Sequence, residues 1–111
     1  LSRFRAVVPL AELPPGAARA VEVSGLKIAL FNVRGEIFAV ENRCPHHGVP
    51  LDDGVVRGNI VLCSMHGAEF DLRTGKHLSL PATCDIASYV VRVNDQMIEV
   101  AVPDEADSST S

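Results

Sequence analysis

No apolar stretch in these 111 residues runs longer than about eight, against the roughly 20 that a helix needs to cross a bilayer. No basic segment followed by an apolar core opens the chain, so no export signal is read and a cytoplasmic location, with no membrane contact, is expected. A helical period is missing as well. Nowhere do apolar residues hold a 3.6-residue spacing for three turns, which predicts very little helix, and no longer repeat is present. Basic residues are in deficit, 10 Lys and Arg against 14 Asp and Glu, for a net charge of −4. Three of the acids, Asp104, Glu105 and Asp107, sit in the terminal stretch 103–111, which reads as a disordered tail. Without them 11 acids face 10 bases. A nearly neutral body with no basic stripe argues against nucleic-acid binding and against steering by bulk charge. Cysteine is scarce and odd in number: three thiols cannot close a complete internal disulfide framework. What is present is a 47% hydrophobic composition, enough for one domain with a core at a length too short for two.

The chain reads as almost entirely β. Strands are expected over 4–8, 18–23, 26–33, 36–40, 59–62, 68–72, 87–93 and 96–102, with room for at most one helical turn between Pro9 and Pro14. Pro14-Pro15-Gly16 is a turn signal, Ser24-Gly25 and Arg34-Gly35 make tight connections, and Asn94-Asp95 closes a terminal hairpin. In the last strand Ile98, Val100 and Val102 alternate with Met97, Glu99 and Ala101, the period of two of a half-buried strand. Between these strands lie three irregular segments: 41–54, 63–67 and 79–85. Loops as long as the first, in a domain this small, are usually functional.

Two of the three segments echo one another. Cys44-Pro45-His46-His47-Gly48 and Cys63-Ser64-Met65-His66-Gly67 each follow a strand and each combine Cys, His and Gly. Thiolate is a soft donor suited to iron–sulfur clusters, zinc and copper(I), and imidazole suits zinc, copper and iron. One residue between Cys44 and His46 makes it hard for both to reach adjacent corners of one small tetrahedral ion, whereas two atoms of a larger cluster are within reach. Zinc fingers use C-x₂₋₄-C and H-x₃₋₅-H knuckles, which are not the pattern here. The spacing favours a cluster, with structural zinc as the competing reading.

The pattern C-x-H, sixteen residues, C-x-x-H resembles the Rieske family. The likeness extends through Gly48, Leu51, Gly54, Gly67, Phe70-Asp71, Thr74-Gly75, Pro81 and Tyr89 to the closing hairpin, roughly residues 36–102. It implies an all-β antiparallel fold, a base β-sandwich plus a small loop-rich cluster-binding lobe. One domain would span 1–102, with the lobe at about 42–84. One 2Fe–2S cluster is implied, with Cys44 and Cys63 on the inner iron and His46 and His66 on the outer, more exposed one. Pro81 would lie in a third loop covering it. Two neutral imidazoles in place of two thiolates leave the site less negative than an all-cysteine set, which raises its potential above that of plant-type ferredoxins.

High-potential members of the family carry an extra cysteine in each loop, joined as a disulfide; those positions here are Val49 and Met65. They also place a serine and a tyrosine hydroxyl near the cluster sulfurs, where this chain has Ala68 and Phe70. The resemblance therefore implies a low-potential carrier, like the ferredoxin component of bacterial aromatic-ring-hydroxylating dioxygenase systems. Such a protein takes single electrons from a flavoprotein reductase, passes them to a terminal oxygenase, and is not itself an enzyme. Partners would dock weakly at the edge bearing His46 and His66. The alternative within the family is the small Rieske subunit of an assimilatory nitrite reductase. An oxygenase in its own right would need a second iron site, for which only His47 and His77 are spare.

Three further side chains carry expectations. Cys44-x-x-His47 copies the spacing of the second pair, so His47 competes with His46 as donor, its default being a surface loop residue. His77 is expected to be exposed or to cap a turn, and Cys84 to be buried as a small hydrophobe. Asp52, Asp53, Glu69 and Asp71 read as solvated charges in turns and on strand faces.

Overall fold

A computed structural model describes residues 2–44, 50–63, 68–78 and 84–103. In chain order the strands are β1 (Ser2–Pro9), β2 (Ala18–Val23), β3 (Leu26–Val33), β4 (Glu36–Glu41), β5 (Val55–Arg57), β6 (Ile60–Leu62), β7 (Glu69–Asp71), β8 (Ser88–Tyr89), β9 (Val91–Asn94) and β10 (Met97–Pro103). A single 3₁₀ turn, Leu10–Glu12, is the only helical element among the described residues. All pairings are antiparallel. They form an outer sheet β1-β10-β9, a middle sheet β2-β3-β4-β8, and a small sheet β5-β6-β7.

The middle sheet organises the rest because both of its faces are covered. Successive side chains of a strand point to opposite faces. Ile28 and Leu30 of β3 and Ala39 of β4 therefore turn one way, into a core with Val8, Leu13, Ile98, Val100 and Val102. Ala29 and Phe31 of β3 and Phe38 and Val40 of β4 turn the other way. There they meet Leu51, Val61, Ala68, Phe70, Leu72, Ile86 and two of the cysteines. The first core is the base sandwich. The second joins the middle sheet to the lobe, and it explains why residues 28–32 of β3 are buried without a break. The one buried polar residue among those described, Asn32, is satisfied at both ends of its amide: Nδ2 donates to Leu13 O at 2.7 Å, and Oδ1 accepts from Gly35 N at 2.8 Å.

Three details differ from the sequence-based reading. The strand expected over 87–93 is divided. Ser88–Tyr89 pairs with β4 and Val91–Asn94 with β10, so the chain crosses from the middle to the outer sheet at Val90. The terminal hairpin turns at Asp95-Gln96, both with positive φ (55° and 67°), one residue later than expected, because Met97 pairs with Asn94. β5 was not expected at all. Its three residues are exposed, so no alternation marks it, and it exists through its pairing with β6.

Candidate metal centre

A thiol follows the end of each of β4 and β6. Cys44 lies just past the end of β4 and is 0% exposed; Cys63 follows Leu62 directly and is 2% exposed. Both belong to the second core, with Leu51, Ala68 and Phe70. The backbone N–H of Cys63 donates to Ala68 O at 2.8 Å, which closes the neck of the loop between them. The first loop is closed from its side by Asn42. Its Nδ2 donates to Asp52 Oδ1 at 2.9 Å, and its Oδ1 accepts from Leu51 N at 2.7 Å and Asp52 N at 3.0 Å. Gly54 allows the chain to leave this loop alongside β6, since a Cβ there would lie 2.3 Å from Leu62 O. His46, His47 and His66 lie outside the described residues, as does Pro81. Among those described, no three of His, Cys, Asp and Glu converge on one point. The structure thus brings Cys44 and Cys63 into one core.

The third irregular segment is also tied at its base. Leu78 N donates to Glu69 O at 2.8 Å, and Ile86 N to Gly75 O at 2.8 Å. His77 is exposed and acts as a cap. Its backbone N–H reaches Asp85 Oδ1 at 3.0 Å and its ring Nδ1 lies 2.5 Å from the same oxygen. The His77 backbone N–H is the largest of the causes that hold Asp85 below the ordinary aspartate value of 3.8, followed by the ring contact. A carboxylate depressed in the folded state stabilises fully above its unfolded value and loses that contribution as pH falls through the lowered one. The Asp85 carboxyl carbon is accordingly expected to titrate with a midpoint below 3.8 by NMR. His77→Ala removes the ring but keeps the amide, and should recover only the smaller part of the depression; an unchanged midpoint would assign all of it to the backbone.

Cys84 corrects its expectation. It is exposed, because on this returning leg it is Ile86 that reaches the core. The acids behave as turn charges: Asp52 receives the Asn42 amide, and Asp71 Oδ1 accepts from Arg73 N at 2.8 Å. Arg43 pairs with Glu41 at 3.2 Å. Tyr89, half-buried on β8, is pushed above its ordinary phenol value by burial and by the charge of Glu41. Asn42 and Asp52 are the residues that motif reading did not single out as a pair. The available signal was weak: an Asn two positions before a metal-type cysteine, at a strand end where Asx side chains commonly bond the backbone.

The family model of the Rieske 2Fe–2S domain matches residues 4–90. The chain belongs to that family. A 3-phenylpropionate/cinnamic acid dioxygenase ferredoxin subunit from Photorhabdus laumondii subsp. laumondii is 44% identical over 100 residues, covering 89% of this chain and 94% of the relative. A Sphingomonas yanoikuyae B1 ferredoxin superposes with a TM-score of 0.84 at 30% identity, covering 91% of this chain and all of the other. The ferredoxin-type likeness includes a complex of reduced oxygenase and oxidized ferredoxin in carbazole 1,9a-dioxygenase, matched with a TM-score of 0.81 at 28% identity over 88% of this chain and 92% of that one. The all-β Rieske fold, one 2Fe–2S cluster and the kinship with ferredoxin components rather than catalytic subunits follow from these matches. The described residues of this Rieske domain fit such a group. Two thiols are sealed in an apolar core, where an uncompensated thiolate is costly and a soft metal is its natural counter-charge. Around them Ala68 and Phe70, both 0% exposed, bring no hydroxyl. Among the described residues no helix is long and apolar enough to cross a membrane.

Proposed function

We propose that this Rieske domain is the electron carrier of an aromatic-ring dioxygenase system, working in the cytoplasm between a flavoprotein reductase and a terminal oxygenase. Cys44, His46, Cys63 and His66 hold the cluster. The observation that carries the reading is the pairing of two buried thiols at the ends of β4 and β6, each followed by a histidine at the family's spacing. The naming of the 44%-identical relative as a dioxygenase ferredoxin subunit supports the partner class over the nitrite reductase alternative. A bound 2Fe–2S cluster supplies a one-electron couple. Cys44 and Cys63 would anchor it from the apolar core, and His46 and His66 would complete the ligand set, with partners docking at the histidine edge. The functional unit is residues 1–102, with the lobe at about 42–84. The second core supports that division, since outside the middle sheet its members run from Cys44 to Ile86.

Ala68 and Phe70 make the potential low, because neither side chain can donate a hydrogen bond that favours the more negative reduced state. Voltammetry is expected to return a midpoint near the lower end of the roughly −150 to +300 mV Rieske range, alongside a Rieske-type EPR signal after dithionite reduction. Preferential stabilisation of the reduced state by ~1.4 kcal/mol corresponds to ~59 mV for one electron, so Ala68→Ser with Phe70→Tyr should raise the midpoint by at least about one such step. A clearly positive midpoint in the unsubstituted protein rejects the low-potential assignment. Colourless protein holding only zinc rejects the carrier function altogether. Co-purification with a large sirohaem partner would favour the nitrite reductase reading instead.

A further inference from the structure

The first ligand loop is locked by a side chain that is not a ligand. Asn42 sits at its entry, two positions before Cys44, and Leu51 and Asp52 sit at its exit. One amide spans the neck. Its oxygen takes both exit N–H groups, at 2.7 and 3.0 Å, and its nitrogen donates to Asp52 Oδ1 at 2.9 Å. The clamp is itself anchored on two sides. The backbone N–H of Asn42 donates to Lys27 O of β3 at 2.9 Å, and Leu51 is 0% exposed in the core that contains Cys44 and Cys63. Leu51 O also accepts from Gly54 N at 2.9 Å, which closes a turn from the clamp to the start of β5.

We propose that Asn42 is the positioning residue of this loop, setting where Cys44 presents its thiolate to the cluster. The proposal rests on the ligand assignment made above. Its chemistry is specific to an amide. The position must accept from two N–H groups and donate to a carboxylate, and aspartate can do only the first. Aspartate at position 42 would bring two carboxylates to hydrogen-bond distance with no proton between them. Exchanging the two side chains restores every bond, because an amide at 52 can donate to a carboxylate at 42. Partners that orient a metal ligand without touching the metal typically change metal affinity by 10- to 100-fold when removed.

The test uses the iron-loaded protein and two readouts: the rate of bleaching by an excess of iron chelator, and the EPR spectrum after dithionite reduction. Asn42→Ala and Asn42→Asp are expected to lose the cluster about 10- to 100-fold faster, with altered or broadened EPR signals. The double variant Asn42→Asp with Asp52→Asn is expected to return both readouts to those of the unsubstituted protein, a rescue that general destabilisation of the loop would not give. Should Asn42→Ala fail to fold, the aspartate variant and its rescue decide. The proposal is overturned if the unsubstituted protein shows its Rieske signal and Asn42→Ala matches it in rate and spectrum, or if the double variant bleaches as fast as Asn42→Asp alone. An unsubstituted protein with no Rieske signal overturns the ligand assignment, and the positioning role with it.

Discussion

Replacing Cys63 with alanine is expected to leave a folded, colourless chain, with iron and acid-labile sulfide below about a tenth of the unsubstituted level and no EPR signal after reduction. The size of the effect follows from what a thiolate does at this position. Cys63 is 2% exposed and packed with Ala68 and Phe70, neither of which can supply a soft donor in its place. The fold itself has little reason to fail. Removing one sulfur from a core costs about 1 kcal/mol, in the range of other single-group deletions, against a typical total of 5–15 kcal/mol. Loss of colour with retained β-sheet circular dichroism therefore separates ligand loss from unfolding. The histidines carry the same prediction with an internal control. His46→Ala should destroy the chromophore, while His47→Ala, one residue along, should leave it intact. The reverse result would move the ligand to His47, whose spacing from Cys44 copies that of His66 from Cys63. Iron and sulfide assays with visible spectra of the three variants decide the matter.

Gly75→Ala is expected to be the most destabilising single-methyl change in the described structure. Gly75 has φ +80°, and a Cβ there would lie 2.0 Å from Ile86 O and 3.0 Å from Ile86 C. Both obstacles are backbone, so no rotamer change relieves them. The same residue accepts the Ile86 N–H at 2.8 Å and donates its own N–H to Asp71 O at 2.7 Å, so moving it breaks the connection between β7 and the leg that carries Ile86 into the core. A left-handed conformation costs a non-glycine residue roughly 1–2 kcal/mol, and a buried backbone group left without its partner about 1–3 kcal/mol more. The sum, about 2–5 kcal/mol, should lower Tm by on the order of 10 °C or more. Gly16→Ala supplies the control. Its φ is +88° with nothing within 4 Å of the added Cβ, so it reads the backbone cost alone. Calorimetry of both variants should show a several-fold larger loss at position 75; equal losses would mean that Ile86 yields freely, and the close approach would not be structural.

Both predictions concern places where a short sequence signal meets a long-range contact, and the legibility of the protein divides along the same line. Cys44-x-His46 and Cys63-x-x-His66 could be read directly, because donor type and spacing are local properties of the chain and the pattern is specific to one family. The hairpin strands β2 and β3 also emerged at their observed bounds, since two-residue turns at Ser24-Gly25 and Arg34-Gly35 punctuate apolar runs at the chain level. The alternation of Ile98, Val100 and Val102 named the buried face of β10 before any partner was known.

What local pattern could not reveal depends on who lies next to whom. One extended run at 88–94 serves two sheets because β4 and β10 compete for it at opposite ends, and nothing in Ser88-Tyr89-Val90-Val91 marks the crossing. β5 is a strand because β6 offers it hydrogen bonds, with all three of its own residues exposed. Cys84 looked like core and lies outside, since burial is conferred by the packed neighbours and not by the side chain. The Asn42 clamp joins positions ten apart through a neck that only the folded loop creates. Periodicity and spacing by themselves determined the β class and the metal-type donors, and the motif's resemblance pointed to the family. The tertiary structure decided the sheet partners, the two-sided burial of the middle sheet and the side chains that hold the ligand loops, because those depend on contacts between residues that the linear chain keeps apart.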